Sequence, residues 1–253
     1  MLHGVFSVPQ LNRDWTSDQK VLPDISFNDN VVTIKNVRNI SYRSTDDYEL
    51  SFYNKTINLD DIKSAWYLVE PFGRFGAAHT LASFGLEDGS YIAVSAEIRK
   101  EAGEKFSPLK GILRNYELVY VVADETDVIK LRTNYRKDEV RLYPIKADKE
   151  KIQSVFIDML KRARKLAEKP EFYNTITNNC TTNLVHHVRK FSDKRIPWYD
   201  LRYLMPEHSD EVAYNAGILD TDLSINDARQ HFSITEKAQL CSEKEDFSAC
   251  IRR

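Results

Sequence analysis

One cysteine of this chain, Cys180, lies in a wholly polar stretch, residues 178–183. Asparagine is a favourable N-cap residue, so the stretch predicts a helix over residues 181–191 that begins beside Cys180. The N–H groups and dipole of a helix N-terminus favour a thiolate and can bind an oxyanion. We therefore expect Cys180 to be a nucleophile, with side-chain donors from Asn178, Asn179 and Thr181. The alternative is a buried structural thiol, a common state of free cysteine.

A cysteine nucleophile needs a base, and His187 lies about 10.5 Å further along the same helix, which is too far. The leading candidate is His79, because a three-residue turn at 87–89 would place it directly opposite Glu97 on a β-hairpin. Partners in such a pair have Cβ atoms about 4.5–5.5 Å apart. A two-residue turn would send Glu97 to the other face. The alternative role for His79 and Glu97 is a pair that only stabilises a sheet edge.

Other side chains near these positions are weaker candidates for substrate binding. Ser95 shares the hairpin face of His79, and Arg99 could bind a phosphate head group, although a solvated salt bridge is the commoner role. Phe72 and Phe75 precede His79 and could either admit an acyl chain or pack as ordinary aromatics. No cofactor and no metal are expected, since a Cys–His site does not require one.

The rest of the chain predicts one α+β domain in which an antiparallel sheet packs against the helix bearing Cys180. We divide residues 1–253 into N-terminal strands and extension (1–60), a catalytic core (61–195) and a helical C-terminal decoration (196–253). Residues 1–30 and 44–60 are expected to be largely irregular. Hydrophobic periodicity predicts strands and helices in the remainder: strands over 31–35, 37–42, 62–70, 77–86, 90–98, 117–123 and 140–145, and helices over 149–168, 181–191, 210–216 and 225–231.

Composition excludes several classes of protein. The 253 residues carry 36 Lys and Arg against 38 Asp and Glu, so no electrostatic case exists for nucleic-acid binding. The longest apolar run, residues 118–123, is too short for a membrane span, and neither a signal peptide nor an anchor is evident. Cys241 and Cys250 are either disulfide-bonded or two independent thiols. The oligomeric state is not predictable.

The order of histidine, polar strand partner and helix-borne cysteine resembles a circularly permuted papain-like fold of the NlpC type. Several stretches further resemble the bacterial family of the Lnb N-terminal periplasmic domain, named for a lipoprotein N-acyltransferase. The resemblance runs from about Asp14 to about Phe232. It rests on Asn36-Val37-Arg38-Asn39, Ala78-His79-Thr80, SAEIRKE at 95–101, Tyr116-Glu117-Leu118, VVADETDVIKLRTNYR at 121–136 and EFYNTITNNCTTN at 171–183.

This resemblance implies a periplasmic or other cell-envelope location and association with a membrane surface. It also implies that the cysteine receives an acyl chain from a phospholipid as a thioester and passes it to the N-terminal amine of a lipoprotein, or to water. His79, Glu97 and Cys180 fall on matching positions of the family. Lnb is membrane-embedded, whereas this sequence has no span.

Two rival functions remain open at this point. A papain-like amidase acting on cell-wall peptides would use the same three residues, and a non-catalytic envelope binding module would use none of them. The enzymatic hypotheses share one geometric expectation: the side chains of His79 and Cys180 lie within hydrogen-bonding reach or one water of it.

Overall fold

The computed structural model describes residues 8–73, 76–105 and 107–253. Its centre is an eight-stranded, mostly antiparallel sheet in the order β1-β2-β9-β8-β7-β6-β10, with β5 paired to β2 and a separate β3–β4 ribbon. The strands are β1 Asp24–Asn28, β2 Val31–Arg38, β3 Ser41–Tyr42, β4 Tyr48–Glu49, β5 Phe52–Asn58, β6 Ile62–Pro71, β7 Ala78–Leu86, β8 Tyr91–Arg99, β9 Glu117–Asp124 and β10 Arg141–Pro144.

Helices cover both faces of this sheet, so the fold is mixed α and β with a central sheet, as predicted. The α-helices are α1 Ser17–Lys20, α2 Pro108–Ile112, α3 Glu125–Lys130, α4 Lys149–Glu168, α5 Cys180–Phe191, α6 Ser209–Asn215, α7 Ile225–His231, α8 Thr235–Leu240 and α9 Phe247–Cys250. A π-helix follows α3 at Leu131–Arg136, and short 3₁₀ turns lie at Leu59–Asp61, Leu201–Tyr203 and Pro206–His208.

The larger hydrophobic core lies between the sheet and the two long helices, α4 and α5. Its buried side chains include Phe84 and Val94 from the hairpin and Phe156 and Leu160 from α4. These α4 residues belong to the 3.6-residue stripe predicted for this helix. A second buried cluster lies on the opposite face, where α3, α8 and α9 pack on Leu81, Ala93 and neighbouring strand residues. The sheet is therefore covered on both sides, and only one of those faces was predicted as core.

The predicted hairpin forms in the predicted register. Gly89 has a φ of +81°, which a glycine adopts without strain, and it closes the three-residue turn. Strands β7 and β8 pair from Ala82–Gly85 to Tyr91–Val94. From Ala78 to Leu81, β7 pairs only with β6, and from Ser95 to Arg99, β8 pairs only with β9. The sheet thus forks between β7 and β8 at the level of His79 and Glu97.

Two stretches predicted as irregular contain sheet strands, so those predictions are wrong. Strand β1 lies within residues 1–30 and β5 within residues 44–60, both pairing antiparallel with β2. Their alternation is weak because polar residues such as Asn54 and Thr56 occupy the outward face of β5, at an edge of the sheet. Strand β2 is one bulged strand rather than two, since Asn36 has a φ of +62° where the pairing to β5 shifts register.

The C-terminal helices are joined by a disulfide between Cys241 and Cys250, which decides the alternative left open by the sequence. Closing such a short loop contributes about 2–3 kcal/mol. The disulfide lies in the second core cluster, next to Phe247 and Ile251. Arg252 beside it forms an ion pair with the fully buried Glu125 of α3. The chain end is thereby fastened to the face of the sheet opposite α5.

Replacing Phe156 with alanine should strongly destabilise the protein. The Phe156 side chain is fully buried, and its ring lies edge-on to Phe84 with centroids 4.9 Å apart. The cavity left behind should lower the free energy of unfolding by about 3–5 kcal/mol, measured by denaturant titration. Leu240→Ala is the control, because Leu240 is 82% exposed and should change stability by no more than about 0.5 kcal/mol. Equal stability of the two variants would contradict this packing.

Candidate functional site

Helix α5 begins at Cys180 because Asn179 caps it. The Asn179 side chain accepts a hydrogen bond from the N–H of Thr182 at 2.8 Å, and the Thr182 hydroxyl accepts one from the N–H of Asn179 at 2.9 Å. This reciprocal pair is a capping box. It places Cys180 at the first helical position, as predicted, with a side chain that is 6% exposed.

The N–H groups of Cys180 and Thr181 point out of the helix start without a hydrogen-bond acceptor in the described part of the chain. The first N–H groups of a helix have no intrahelical acceptor, and here the capping side chain serves Thr182 instead. The thiol itself contacts the Thr181 hydroxyl, with Sγ and Oγ1 3.8 Å apart. A sulfur with two free N–H groups beside it has the donors that an oxyanion needs.

On the neighbouring hairpin, three side chains form a hydrogen-bonded chain. Ser95 Oγ donates to Glu97 Oε1 at 3.0 Å, and His79 Nε2 lies 2.7 Å from the same Oγ. A hydroxyl has one proton, so an Oγ that donates to the carboxylate accepts from the imidazole. The proton of neutral His79 is therefore on Nε2. Its Nδ1, with no hydrogen-bond partner among the described residues, carries the free lone pair.

The carboxylate at the end of this chain is kept ionised by Arg132 of the π-helix. Arg132 donates to Glu97 Oε1 at 3.2 Å and to the fully buried Glu70 at 2.6 Å. Burial alone would raise the pKa of Glu97, but Arg132, followed by His79 and Arg38, lowers that pKa well below its usual range. Glu97 is thus a permanent acceptor for Ser95, and the orientation of His79 follows from it.

The imidazole of His79 is neutral at physiological pH. Burial, followed by the positive charge of Arg132, lowers its pKa to about 4, while Glu97 acts in the opposite direction. A neutral imidazole can accept a proton, which a general base must do. The His79 side chain is 14% exposed, so part of it is accessible to solvent.

Strand β7, which carries His79, packs against helix α5, which begins at Cys180, and no hydrogen bond joins the two side chains among the described residues. That they lie within hydrogen-bonding reach or one water of it stays a prediction. Strand β7 and helix α5 contact each other through the residues that follow His79 and Cys180. Thr80 Oγ1 lies 3.1 Å from Thr181 Oγ1. Successive strand side chains point to opposite faces, so Thr80 meets α5 while His79 turns toward Ser95. The two candidate residues lie on either side of the fork in the sheet.

Several predicted substrate-binding side chains also have partners within the fold. The amide of Asn178 donates to the carbonyl of Phe172 and accepts from Asn183, and the amide of Asn179 donates to the carbonyls of Thr175 and Tyr203. The Thr181 hydroxyl lies within hydrogen-bonding distance of Thr80. Buried amides and hydroxyls are generally satisfied in this way, and the substrate-binding roles of these three residues stay predictions.

Arg99 is buried in this fold, so the prediction of a solvated salt bridge is wrong. Its guanidinium is buried at 4% exposure, donates to the carbonyls of Gln19 and Lys20, and stacks 4.3 Å from the Trp15 ring centroid. Phe72 is half-buried at the end of the β6 extension, where its N–H donates to Ala77. Phe75 lies outside the described residues.

Sequence reasoning missed a second buried polar chain that runs along α5 to the loop before Cys180. His187 Nδ1 lies 2.6 Å from Asp158 Oδ2, and its Nε2 lies 2.7 Å from the hydroxyl of Tyr120. Tyr120 donates in turn to Asn183, whose amide bonds Asn178. Burial lowers the pKa of His187 to about 4, against the effect of Asp158. The neighbouring His186 and His187 gave no signal that one of them was buried and paired.

Two recesses flank the start of α5. An apolar cavity of about 600 Å³ lies between β6, α4, α5 and α6, lined by Thr181 and by side chains such as Phe84, Leu184 and Val188. A more open groove of about 810 Å³ lies on the other side of α5, lined by Asn178, Thr182 and charged residues of α4 and α5. Tyr203 borders both recesses. No group of His, Cys, Asp and Glu side chains in the described ranges could hold a metal ion.

The family described as the Lnb N-terminal periplasmic domain matches residues 48–207, which include Cys180, His79 and Glu97. The chain belongs to this family. The Lnb domain family is periplasmic by its description, and the disulfide outside the matched region fits an oxidising compartment. No curated protein and no solved structure matches the chain. Across the ranges that the structure describes, no helix is long and apolar enough to cross a membrane.

The tautomer of His79 can be measured. Ser95→Ala removes the acceptor of the Nε2 proton, so nitrogen-detected NMR of the imidazole should show a mixture of tautomers, whereas the wild type shows the Nε2–H form alone. Ser83→Ala is the matched control, because this buried serine on the same face bonds Glu125 rather than His79. The assignment is wrong if wild-type His79 carries its proton on Nδ1, or if both variants behave alike.

Proposed function

We propose that this domain is a cysteine-dependent acyltransferase or acyl hydrolase with a permuted papain-like active site. Cys180 is the nucleophile, His79 the base, and Glu97 acts through Ser95 to orient the base. The observation that carries the proposal is the hydrogen-bonded chain from Glu97 through Ser95 to His79 Nε2, from which we infer that Nδ1, and not Nε2, is free to accept the thiol proton. The fork between β7 and β8 supports it, because no strand pairing closes the sheet between the imidazole and the start of α5.

The reaction needs one proton to move twice. Nδ1 of His79 takes the thiol proton, through one water or after rotation of the Cys180 side chain, and Sγ attacks the ester carbonyl of a phospholipid. The oxyanion lies against the N–H groups of Cys180 and Thr181. Collapse expels the lysolipid alkoxide, which takes the proton from His79, and leaves a thioester on Cys180. An amine or water then attacks the thioester, and the thiol is regenerated.

The apolar cavity supports an acyl chain as the bound group. Its volume is within the range of about 300–1,000 Å³ typical of ligand sites, and Thr181, the residue after the nucleophile, lies in its wall. An acyl chain in this cavity would have its carbonyl end near Cys180. The donor and acceptor we favour are a phospholipid and the N-terminal amine of a lipoprotein, in keeping with the family.

One observation favours a second candidate function, cleavage of cell-wall peptides. The larger groove beside Asn178 and Thr182 is open and lined by charged side chains such as Arg162 and Glu171, which suits a peptide better than a lipid chain. The same three residues would then attack an amide. The two candidates differ in the group that remains attached to Cys180 after reaction.

Incubation with phosphatidylglycerol vesicles followed by intact-mass measurement tests the acyl-transfer proposal. We expect a mass gain of one acyl chain that hydroxylamine removes, as a thioester requires, and that Cys180→Ala abolishes. His79→Ala should slow its formation at least about 100-fold, since general base catalysis typically contributes that much.

Glu101→Gln is the matched control for these variants, because this carboxylate lies just beyond the end of β8 and pairs with Arg13 instead of His79. It should acylate at the wild-type rate. A wild-type protein that forms no lipid adduct but releases cell-wall peptides in a Cys180-dependent manner would replace acyl transfer by the amidase. Inactivity toward both substrates would leave a non-catalytic envelope binding module as the remaining hypothesis.

A further inference from the structure

Exposed apolar side chains are concentrated around the start of α5. Of the thirteen large hydrophobic residues exposed in the described part of the chain, eight lie in three short segments there. Trp198 is the most exposed of them at 77%, and Leu109 follows at 64%. We call these eight side chains the mouth surface: Leu109, Ile112, Leu113, Ile176, Trp198, Tyr199, Leu201 and Met205.

Specific contacts hold the three segments together. The amide of Asn174 donates to the carbonyl of Ile112, which joins α2 to the loop that contains Ile176. The amide of Asn179 donates to the carbonyl of Tyr203, which joins the cysteine cap to the loop containing Trp198. Ile176, Trp198 and Tyr199 also line one groove. The mouth surface is therefore one region whose parts all attach to the loop before Cys180.

The same region reaches the loop that precedes His79. The N–H of Glu207 donates to the carbonyl of Gly76, and a Cβ on Gly76 would meet the side chain of Met205 at 2.9 Å. A partner bound to the mouth surface would therefore cover the loops that precede Cys180 and His79.

The charge around the mouth surface is opposite in sign to that of the whole chain. Segments 104–114, 171–178 and 189–207 carry eight Lys and Arg against five Asp and Glu, although the chain has a net charge of −2. Five of these cations are exposed and form no ion pair among the described residues: Lys105, Arg114, Arg189, Lys194 and Arg195. Exposed aromatic and aliphatic side chains bordered by free cations match a lipid surface with anionic head groups.

We propose that the mouth surface docks onto a bilayer containing anionic phospholipid. Trp198 and Tyr199, whose rings lie 5.7 Å apart, enter the head-group layer, and Leu109 of α2 and Leu113 directly after it enter beside them. The cations listed above contact lipid phosphates. This docking is a property of the surface and does not depend on the chemistry proposed for Cys180.

Vesicle flotation of the intact protein tests the proposal with two probes, phosphatidylcholine alone and phosphatidylcholine mixed with phosphatidylglycerol. We expect at least fivefold more bound protein on the mixed vesicles, with a blue shift of tryptophan emission, since Trp15 is buried and Trp66 half-buried. The Trp198→Ser/Leu201→Ser variant should bind at least tenfold more weakly. Arg114→Gln/Arg195→Gln should remove most of the preference for the anionic vesicles.

Leu240→Ser is the matched control, because Leu240 is 82% exposed on α8, which packs on the opposite face of the sheet, and should bind as the wild type does. Cys180→Ala should also float like the wild type, which separates docking from catalysis. The proposal is overturned if the wild type floats with neither vesicle, or if the Trp198/Leu201 variant binds normally. It is equally overturned if sedimentation shows a dimer that the Trp198/Leu201 variant does not form, because the mouth surface would then be buried between two copies of the chain.

Discussion

The ionised carboxylate of Glu97 is the interaction on which the geometry of the site depends. Arg132 holds it in the charged form, so Ser95 must donate to it, and a donating Ser95 must accept from His79. One buried charge pair thereby decides which imidazole nitrogen is free. Arg132 is in turn fixed by Glu70 on β6, the strand that pairs with β7 directly at His79. The orientation of His79 is therefore set by contacts on the face of the sheet opposite α5.

The residues of the proposed site come from both faces of the sheet, and the π-helix and the fork between β7 and β8 are the features that relate the two faces. The π-helix supplies Arg132 from one face, and α5 supplies Cys180 and its free N–H groups from the other. Between them the sheet lacks pairing between β7 and β8, so an imidazole rooted on one face has a route toward the other. Wider turns of this kind occur often at functional sites. Under the proposed mechanism, the fork is where the proton moves.

Local patterns predicted much of this arrangement. The Asn cap, the glycine-closed hairpin and the stripe on α4 each depend on residues close in sequence, so their helix starts, turn and register could be foreseen. What could not be foreseen depends on distant partners. The role of Ser95 requires Arg132 nearby, the amides of Asn178 and Asn179 are occupied by carbonyls of Phe172, Thr175 and Tyr203, and Arg99 is buried under Trp15. Strand β5 was missed because its outward face is polar.

The rate of alkylation of Cys180 tests the central claim most directly, because Cys180 is the single free thiol and intact mass reports on it alone. The account predicts that the wild type reacts with iodoacetamide near neutral pH at least tenfold faster than His79→Ala. Equal rates for the two proteins would show that His79 does not take the proton of Cys180.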